Sequence, residues 1–317
     1  MGCLFLNYKL LAGGTDVYDR LLGGAARTLG GGYGRQDRPP RFPSESGAVF
    51  VSGRRIAYLR WPGKGDPLVL LHGVGDTAWI WARVAGALAG EREVVALTTP
   101  GHGESGPAPP VWALAPVAEA LASAARQLVG DRFHLGGHSL GGKLALYLAA
   151  VTPECVSSLT LADPVAPAGF NPLLSTFPRL VESAFAGERR PFATDEEFYA
   201  RGRARFYLPH GDALDRVIWE SKFERVPSGG RRIRLSEEDF RAILAGPIRE
   251  DIRPLLEARP IEAPVLLLRP TFSLSFWPGE FVALEGIVNF RSLRVSGDHA
   301  FINSNPVATE HALRSFL

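Results

Sequence analysis

The sequence predicts an α/β protein: a mostly parallel central sheet with helices on both faces, interrupted by an inserted helical segment. Three observations carry this. Short, unbroken apolar runs such as Leu68-Val69-Leu70-Leu71 and Val265-Leu266-Leu267-Leu268 have the character of strands covered on both faces. Helical stretches separate such runs, and that alternation favours parallel pairing with ligands at the carboxyl ends of the strands. Between the strand-like run Phe133-His134-Leu135 and a helical stretch over 142–150 stands Gly137-His138-Ser139-Leu140-Gly141, a tight strand-to-helix turn.

Along the chain, residues 1–47 read as an N-terminal extension. They are rich in Gly and end in Arg38-Pro39-Pro40-Arg41-Phe42-Pro43, whose prolines favour extended chain. A short amphipathic helix is expected within 10–29, and the Gly-Gly pairs there are no phosphate loop because no Gly-Lys-Ser/Thr follows. The core is expected over 48–163 and 259–317. It opens with a hairpin, 49–51 against 56–59, around Ser52-Gly53-Arg54. A strand at 68–71, a helix at 79–88, a strand at 94–97 and a helix at 117–128 lead to the turn, and the next strand is 159–162.

After Asp163-Pro164 this rhythm stops. Residues 164–258 hold aromatics, prolines and equal numbers of acidic and basic side chains but no buried-strand run, so a helical insertion is expected. Its arginine clusters (Arg201, Arg203, Arg205; Arg231, Arg232, Arg234) fit a solvated mixed-charge surface. Strand character returns at 265–268 and more weakly at 292–295, and a helix over 306–317 closes the chain.

The chain's 317 residues suit one large domain, or one domain with a smaller one inserted. A net charge of +2 offers no electrostatic basis for binding nucleic acid or an anionic membrane. The two cysteines, Cys3 and Cys155, lack metal-ligand spacing; Cys155 is expected as a free buried thiol in a reducing, cytoplasmic setting. The apolar start of the chain is cut off at Gly13-Gly14 and has no basic flank, so no stable membrane insertion is expected. Met1-Gly2-Cys3 hints at lipidation, but Leu6 stands where a myristoylation motif has Ser or Thr.

The turn carries the chemistry. Ser139 is the candidate nucleophile, with small residues two positions before and after it because strand and helix backbones nearly touch there. A serine nucleophile needs a base, an orienting acid and donors for the oxyanion. His299, in Ser296-Gly297-Asp298-His299-Ala300-Phe301, follows the last expected strand and is the candidate base. The backbone amide of Val74, in Leu71-His72-Gly73-Val74-Gly75, is the candidate to pair with that of Leu140 as an oxyanion hole. His72 and His102 read as structural hydrogen-bonding residues.

Four segments, His72-Gly73, Pro100-Gly101-His102-Gly103-Glu104-Ser105, Gly137-His138-Ser139-Leu140-Gly141-Gly142 and Gly297-Asp298-His299, together resemble the lid-bearing form of the α/β-hydrolase superfamily over residues 48–317. The resemblance implies the α/β-hydrolase fold with a helical lid inserted over 164–258. Two departures stand out. Thr98 occupies a position where the family usually has an acidic residue. The loop after strand 265–268, where the family usually carries its triad acid, reads Arg269-Pro270-Thr271-Phe272-Ser273-Leu274-Ser275-Phe276-Trp277, with no carboxylate. Asp163, at the end of the preceding strand, is the first candidate to orient His299. Glu280 is the second, and a site with no acid is the third. Asp298 is badly placed, since neighbouring side chains in an extended loop rarely face each other.

The resemblance implies a serine hydrolase that cleaves a carboxylic ester, lactone or thioester of a hydrophobic small molecule through an acyl-enzyme on Ser139. The fold hosts many chemistries, so a lyase, cyclase or acyl transferase, or a ligand-binding protein with an incomplete triad, stays open. Trp79, Phe206, Trp219, Phe272, Phe276 and Trp277 are candidates to line an apolar pocket, each equally readable as core. With no metal constellation and no dinucleotide or phosphate motif, no cofactor is expected. The oligomeric state is not readable from the sequence.

Overall fold

The computed structural model of the protein describes residues 41–167, 191–204, 208–227, 229–271, 273, 284, 287 and 289–317. The expected N-terminal helix and Cys3 lie outside the described residues.

Eight strands form one sheet in the order β1-β2-β4-β3-β5-β6-β9-β10. β1 (Glu45–Val51) and β2 (Arg54–Trp61) are the hairpin, turning at Ser52-Gly53, and β2 runs antiparallel to β4 (Gly90–Leu97). From β4 outward all pairings are parallel: β3 (Gly63–Leu71), β5 (Phe133–His138), β6 (Val156–Ala162), β9 (Val265–Pro270) and β10 (Phe290–Val295). β1 begins at Glu45, so the sheet reaches into what reads from the sequence as the extension.

The apolar runs are strands because both their faces are covered. Along β3, Leu68 and Leu70 enter one apolar cluster while Val69 and Leu71 enter the other. Burying each such side chain contributes about 1.5–3 kcal/mol. One cluster packs helices α2 (Leu114–Val129) and α3 (Leu140–Val151) against the sheet; the other packs α1 (Ala82–Leu88) and the C-terminal helix Pro306–Arg314. The chain leaves β3 for β4 in one direction, then recrosses through α2 to β5 on the other side of β3. That reversal makes the carboxyl ends of β3 and β5 a topological switch point, where open α/β sheets leave a crevice.

The described part of the insertion contains α4 (Asp195–Ala204), α5 (Ala213–Glu220), α6 (Glu237–Ala245) and α7 (Arg253–Ala258). It also holds a small antiparallel pair, β7 (Phe223–Arg225) and β8 (Arg231–Ile233), which the helical expectation missed. Phe192, Phe198, Trp219 and Phe223 form its own aromatic core, with the Arg231 guanidinium 4.5 Å above the Phe198 ring. Trp219 is fully buried there, its indole N–H donating to the Phe198 carbonyl at 3.1 Å, so it is core of the insertion. Trp79 is partly buried and meets Phe42 edge-on at 6.5 Å, while Phe206, Phe272, Phe276 and Trp277 lie outside the described residues.

Polar anchors join the insertion to the core. Buried Arg83 of α1 donates to Asp212 at 2.7 Å and Asp215 at 2.6 Å, and to Asn303 of helix α8 (Phe301–Ser304) at 3.2 Å. The second Asp215 oxygen accepts the amides of His210 and Gly211, so this fully buried carboxylate has partners on both oxygens. On the other face, Lys143 of α3, also fully buried, donates to the Ile248 carbonyl at 3.0 Å. After α8, helix α9 (Pro306–Arg314) completes the chain.

Where β5 meets α3 the backbones leave no room for a β-carbon. A Cβ on Gly141 would lie 2.5 Å from the Leu71 carbonyl oxygen and 2.6 Å from that of His72, and one on Gly137 would lie 2.1 Å from the Gly141 oxygen. These are backbone atoms of central elements and cannot step aside. Gly141→Ala should therefore destabilise the protein by at least about 1–3 kcal/mol, the usual cost of overpacking. Chemical denaturation should show a lower midpoint; an unchanged midpoint would mean that β3 and α3 separate freely.

Candidate active site

Ser139 sits between β5 and α3 with φ 55° and ψ −120°, backbone angles that a β-carbon makes costly, by about 1–3 kcal/mol. The turn is braced from both sides. Its amide donates to the Ala162 carbonyl at 3.1 Å, and its carbonyl accepts the amides of Gly142 at 3.0 Å and Val165 at 3.0 Å. The partners Ala162 and Val165 flank Asp163, which has a positive φ of 42°. Two strained turns at neighbouring strand ends are thus hydrogen-bonded to each other, and strain of this kind clusters at functional sites.

Asp163 is the carboxylate that meets His299. It is buried, and its Oδ2 accepts the Nδ1–H of His299 at 2.6 Å. Its Oδ1 accepts the hydroxyl of Ser273 at 2.5 Å. The loop after β9 thus supplies a donor to a carboxylate that stands one strand away. Glu280 lies outside the described residues. Asp298 turns its Oδ1 to the Ala300 amide at 2.9 Å and caps its own loop.

His299 is held toward its charged form. Burial disfavours the imidazolium, but the hydrogen bond and charge of Asp163 outweigh it, and the pKa lies above the usual 6.5. Its ring packs 4.6 Å from that of His138, the residue before Ser139. Among the described residues Ser139 Oγ makes no hydrogen bond to His299.

The loop after β3 closes over the turn. A Cβ on Gly73 would stand 2.9 Å from Ser139 Cβ and 3.4 Å from its Oγ, so this stretch of backbone lies against the serine. The Gly73 carbonyl is fixed by the Asp76 amide at 3.2 Å and by His72 Nδ1 at 2.7 Å. Since the Thr99 amide donates to His72 Nε2 at 2.9 Å, the His72 proton must be on Nδ1. In a planar trans peptide the N–H points opposite to the C=O, so fixing the Gly73 carbonyl fixes the direction of the Val74 amide. Leu140 is the first residue of α3, where amides have no intrahelical acceptor.

Histidines 72 and 102 are buried and neutral. Burial pushes His72 down to about 4 and His102 to about 3. Thr98, the departure noted in the sequence, accepts the Ala78 amide on its hydroxyl at 3.1 Å. Beside the loop, Asp76 forms an ion pair with Lys222 of the insertion, and Thr77 Oγ1 meets Ser221 Oγ at 2.6 Å. The insertion therefore touches the segment that carries the Val74 amide. Among the described residues no group of three or more His, Cys, Asp or Glu is placed to hold a metal ion, and no helix is long and apolar enough to cross a membrane. Cys155 is a free, buried thiol.

A family model described as the alpha/beta hydrolase family matches residues 68–306. The chain belongs to this family. It is 29% identical over 277 residues to a fluoroacetate dehalogenase of a Burkholderia species, covering 80% of this chain and 88% of that protein. It is 40% identical over 112 residues to the dihydrolipoyllysine-residue acetyltransferase component of the acetoin cleaving system of Pseudomonas putida, a match that spans 35% of this chain and only 30% of that one. In three dimensions it resembles E-2-(acetamidomethylene)succinate hydrolase, with a TM-score of 0.72 at 22% identity, covering 87% of this chain and 99% of that one. At that identity the likeness bears on the fold alone.

Sequence reasoning named Ser139, Asp163, His299, Val74 and Leu140; it missed Ser273 and the contact of His138 with His299. The signal for Ser273 was present, a hydroxyl in the loop where a carboxylate is usual, but nothing in the sequence told which strand end it faces.

The Asp163 contact has a measurable consequence. In NMR titrations the His299 imidazole should titrate above 6.5, and in Asp163→Asn its midpoint should fall, because burial remains while the raising charge is lost. A raised folded pKa stabilises the fold fully below about 6.5, and that stabilisation is lost as pH rises through the folded value. The variant should lose it too. A midpoint unmoved by Asp163→Asn would show that the carboxylate does not govern this ring.

Proposed function

We propose that the protein is a serine hydrolase that cleaves a carboxylic ester, lactone or thioester of a hydrophobic small molecule through an acyl-enzyme on Ser139. The observation that carries this reading is the 2.6 Å contact between Asp163 and His299 beside the strained Ser139 turn. Membership of the alpha/beta hydrolase family supports hydrolysis as the class of reaction.

In this reading Asp163 keeps the proton of His299 on Nδ1, leaving Nε2 bare as the base. Ser139 Oγ attacks the substrate carbonyl carbon while Nε2 takes its proton. The carbonyl oxygen becomes an oxyanion and receives hydrogen bonds from the amides of Val74 and Leu140. Collapse expels the alcohol or thiol, which takes the proton back from Nε2, and leaves the acyl group on Ser139. Water then repeats the sequence: His299 takes its proton, the hydroxide adds to the acyl carbon, and Ser139 Oγ leaves with the proton. The insertion over 164–258 acts as a lid over the strand ends. The contact of Asp163 with His299 supports Asp163 as the orienting acid over the reading with none, which rested on the carboxylate-free loop after β9.

Brief exposure to a fluorophosphonate, followed by intact and peptide mass spectrometry, should give a single adduct on Ser139 and none in Ser139→Ala. Asp163→Asn should lower kcat on a turned-over ester by about four orders of magnitude, as loss of the orienting carboxylate does in serine hydrolases generally. A folded wild-type protein that takes no label would sink this reading.

A further inference from the structure

His138 fills the variable position before the serine, and its side chain makes a specific contact. It is buried at 3% exposure, and its Nε2 lies 2.7 Å from the His299 carbonyl oxygen. A carbonyl only accepts, so Nε2 carries the proton and donates. Nδ1 is then bare; among the described residues it has no hydrogen-bond partner, and it faces Gly73, where a Cβ would stand 3.3 Å away. Trp81 meets the His138 ring edge-on at 6.5 Å, and its own indole N–H is fixed to the Leu71 carbonyl at 3.0 Å.

His299 needs such a hold. It belongs to a loop between β10 and α8, its side chain is 36% exposed, and Asp163 secures only one ring nitrogen. A bond to the ring alone leaves the main chain free to carry Nε2 out of line. From these contacts we propose that His138 is a positioning residue: its Nε2–H fixes the main chain of His299 to the last residue of β5, so that base and nucleophile are held by the same strand end. The inference rests on the reading of Ser139 and His299 given above.

The groups facing His138 are His72, Asp76, Asp163 and His299. Burial, aided by His299 nearby, holds it down to about 4, so it stays neutral across the range in which His299 titrates. A second proton would place an N–H on Nδ1 against Gly73, where no acceptor is found among the described residues.

The test compares His138→Phe, which keeps the ring and removes the donor, with His138→Gln, which returns an N–H of similar reach. If the Phe variant does not fold, His138→Met takes its place. Loss of alignment of about 1 Å costs up to roughly 10²-fold in rate, so the Phe variant should lose about 10–100-fold in fluorophosphonate labelling rate and kcat with KM nearly unchanged. The Gln variant should recover most of it. The NMR signal of the His299 Nδ1–H should persist in the wild type and in His138→Gln, and broaden by exchange in His138→Phe. Equal rates in wild type and Phe variant, or equal losses in Phe and Gln, would overturn the proposal. The NMR comparison reads His299 whether or not Ser139 takes a label, so failure of the hydrolase reading and failure of this one are separable.

Discussion

The near-contact of the β5 and α3 backbones decides the rest of the site. Helix α3 begins one residue after a strand ends, and it can do so only because Gly137 and Gly141 leave no β-carbon between the two. With no room for a longer turn, Ser139 takes up the whole reversal and is forced to a φ of 55°. It then stands at the start of a helix whose first amides lack intrahelical acceptors. That cost is offset by the backbone bonds tying the serine turn to the turn at Asp163, itself at a φ of 42°. The two strained residues therefore hold each other, and a disturbance at either is felt at both.

Each group of the proposed site then hangs from the carboxyl end of a strand: Val74 after β3, Ser139 after β5, Asp163 after β6, His299 after β10. The acid at the end of β6 has a structural consequence. The same residue that orients His299 also starts the insertion, so the insertion departs from the site itself. It returns polar contacts to the stretch after β3, through Asp215 to Arg83 and through Lys222 to Asp76. Buried ion pairs are weak sources of net stability, because desolvation consumes most of the attraction, but a lone partner left behind is costly. Their effect here is to fix where the insertion sits on the core.

The sheet could be read from the sequence because its strands are buried on both faces; four-residue apolar runs leave little else to be. The β7–β8 pair escaped because Phe223-Glu224-Arg225 and Arg231-Arg232-Ile233 are short, charged and only partly buried, a pattern no different from helix or loop. Asp163 was readable as a candidate because it ends a strand next to the one where the acid is usual. That it reaches His299 depends on which strand ends lie within reach across the sheet, and that is a fact of strand order. Ser273 and the His138 contact are of the same kind: the residue types are visible, while their partners lie more than a hundred residues away.

Histidine shows most clearly how position sets chemistry in this site. His72, His102 and His138 are buried, and burial drives each of them well below its ordinary value, so they serve as fixed neutral donors and acceptors. His299 meets the same penalty, yet its value moves upward, because a buried carboxylate at 2.6 Å outweighs it. The rings of His138 and His299 are only 4.6 Å apart. What separates the two rings across that distance is one hydrogen bond to Asp163. The neutral neighbours also matter to His299: a second cation at His138 would oppose the imidazolium that Asp163 favours. A site built this way concentrates its basicity on a single ring.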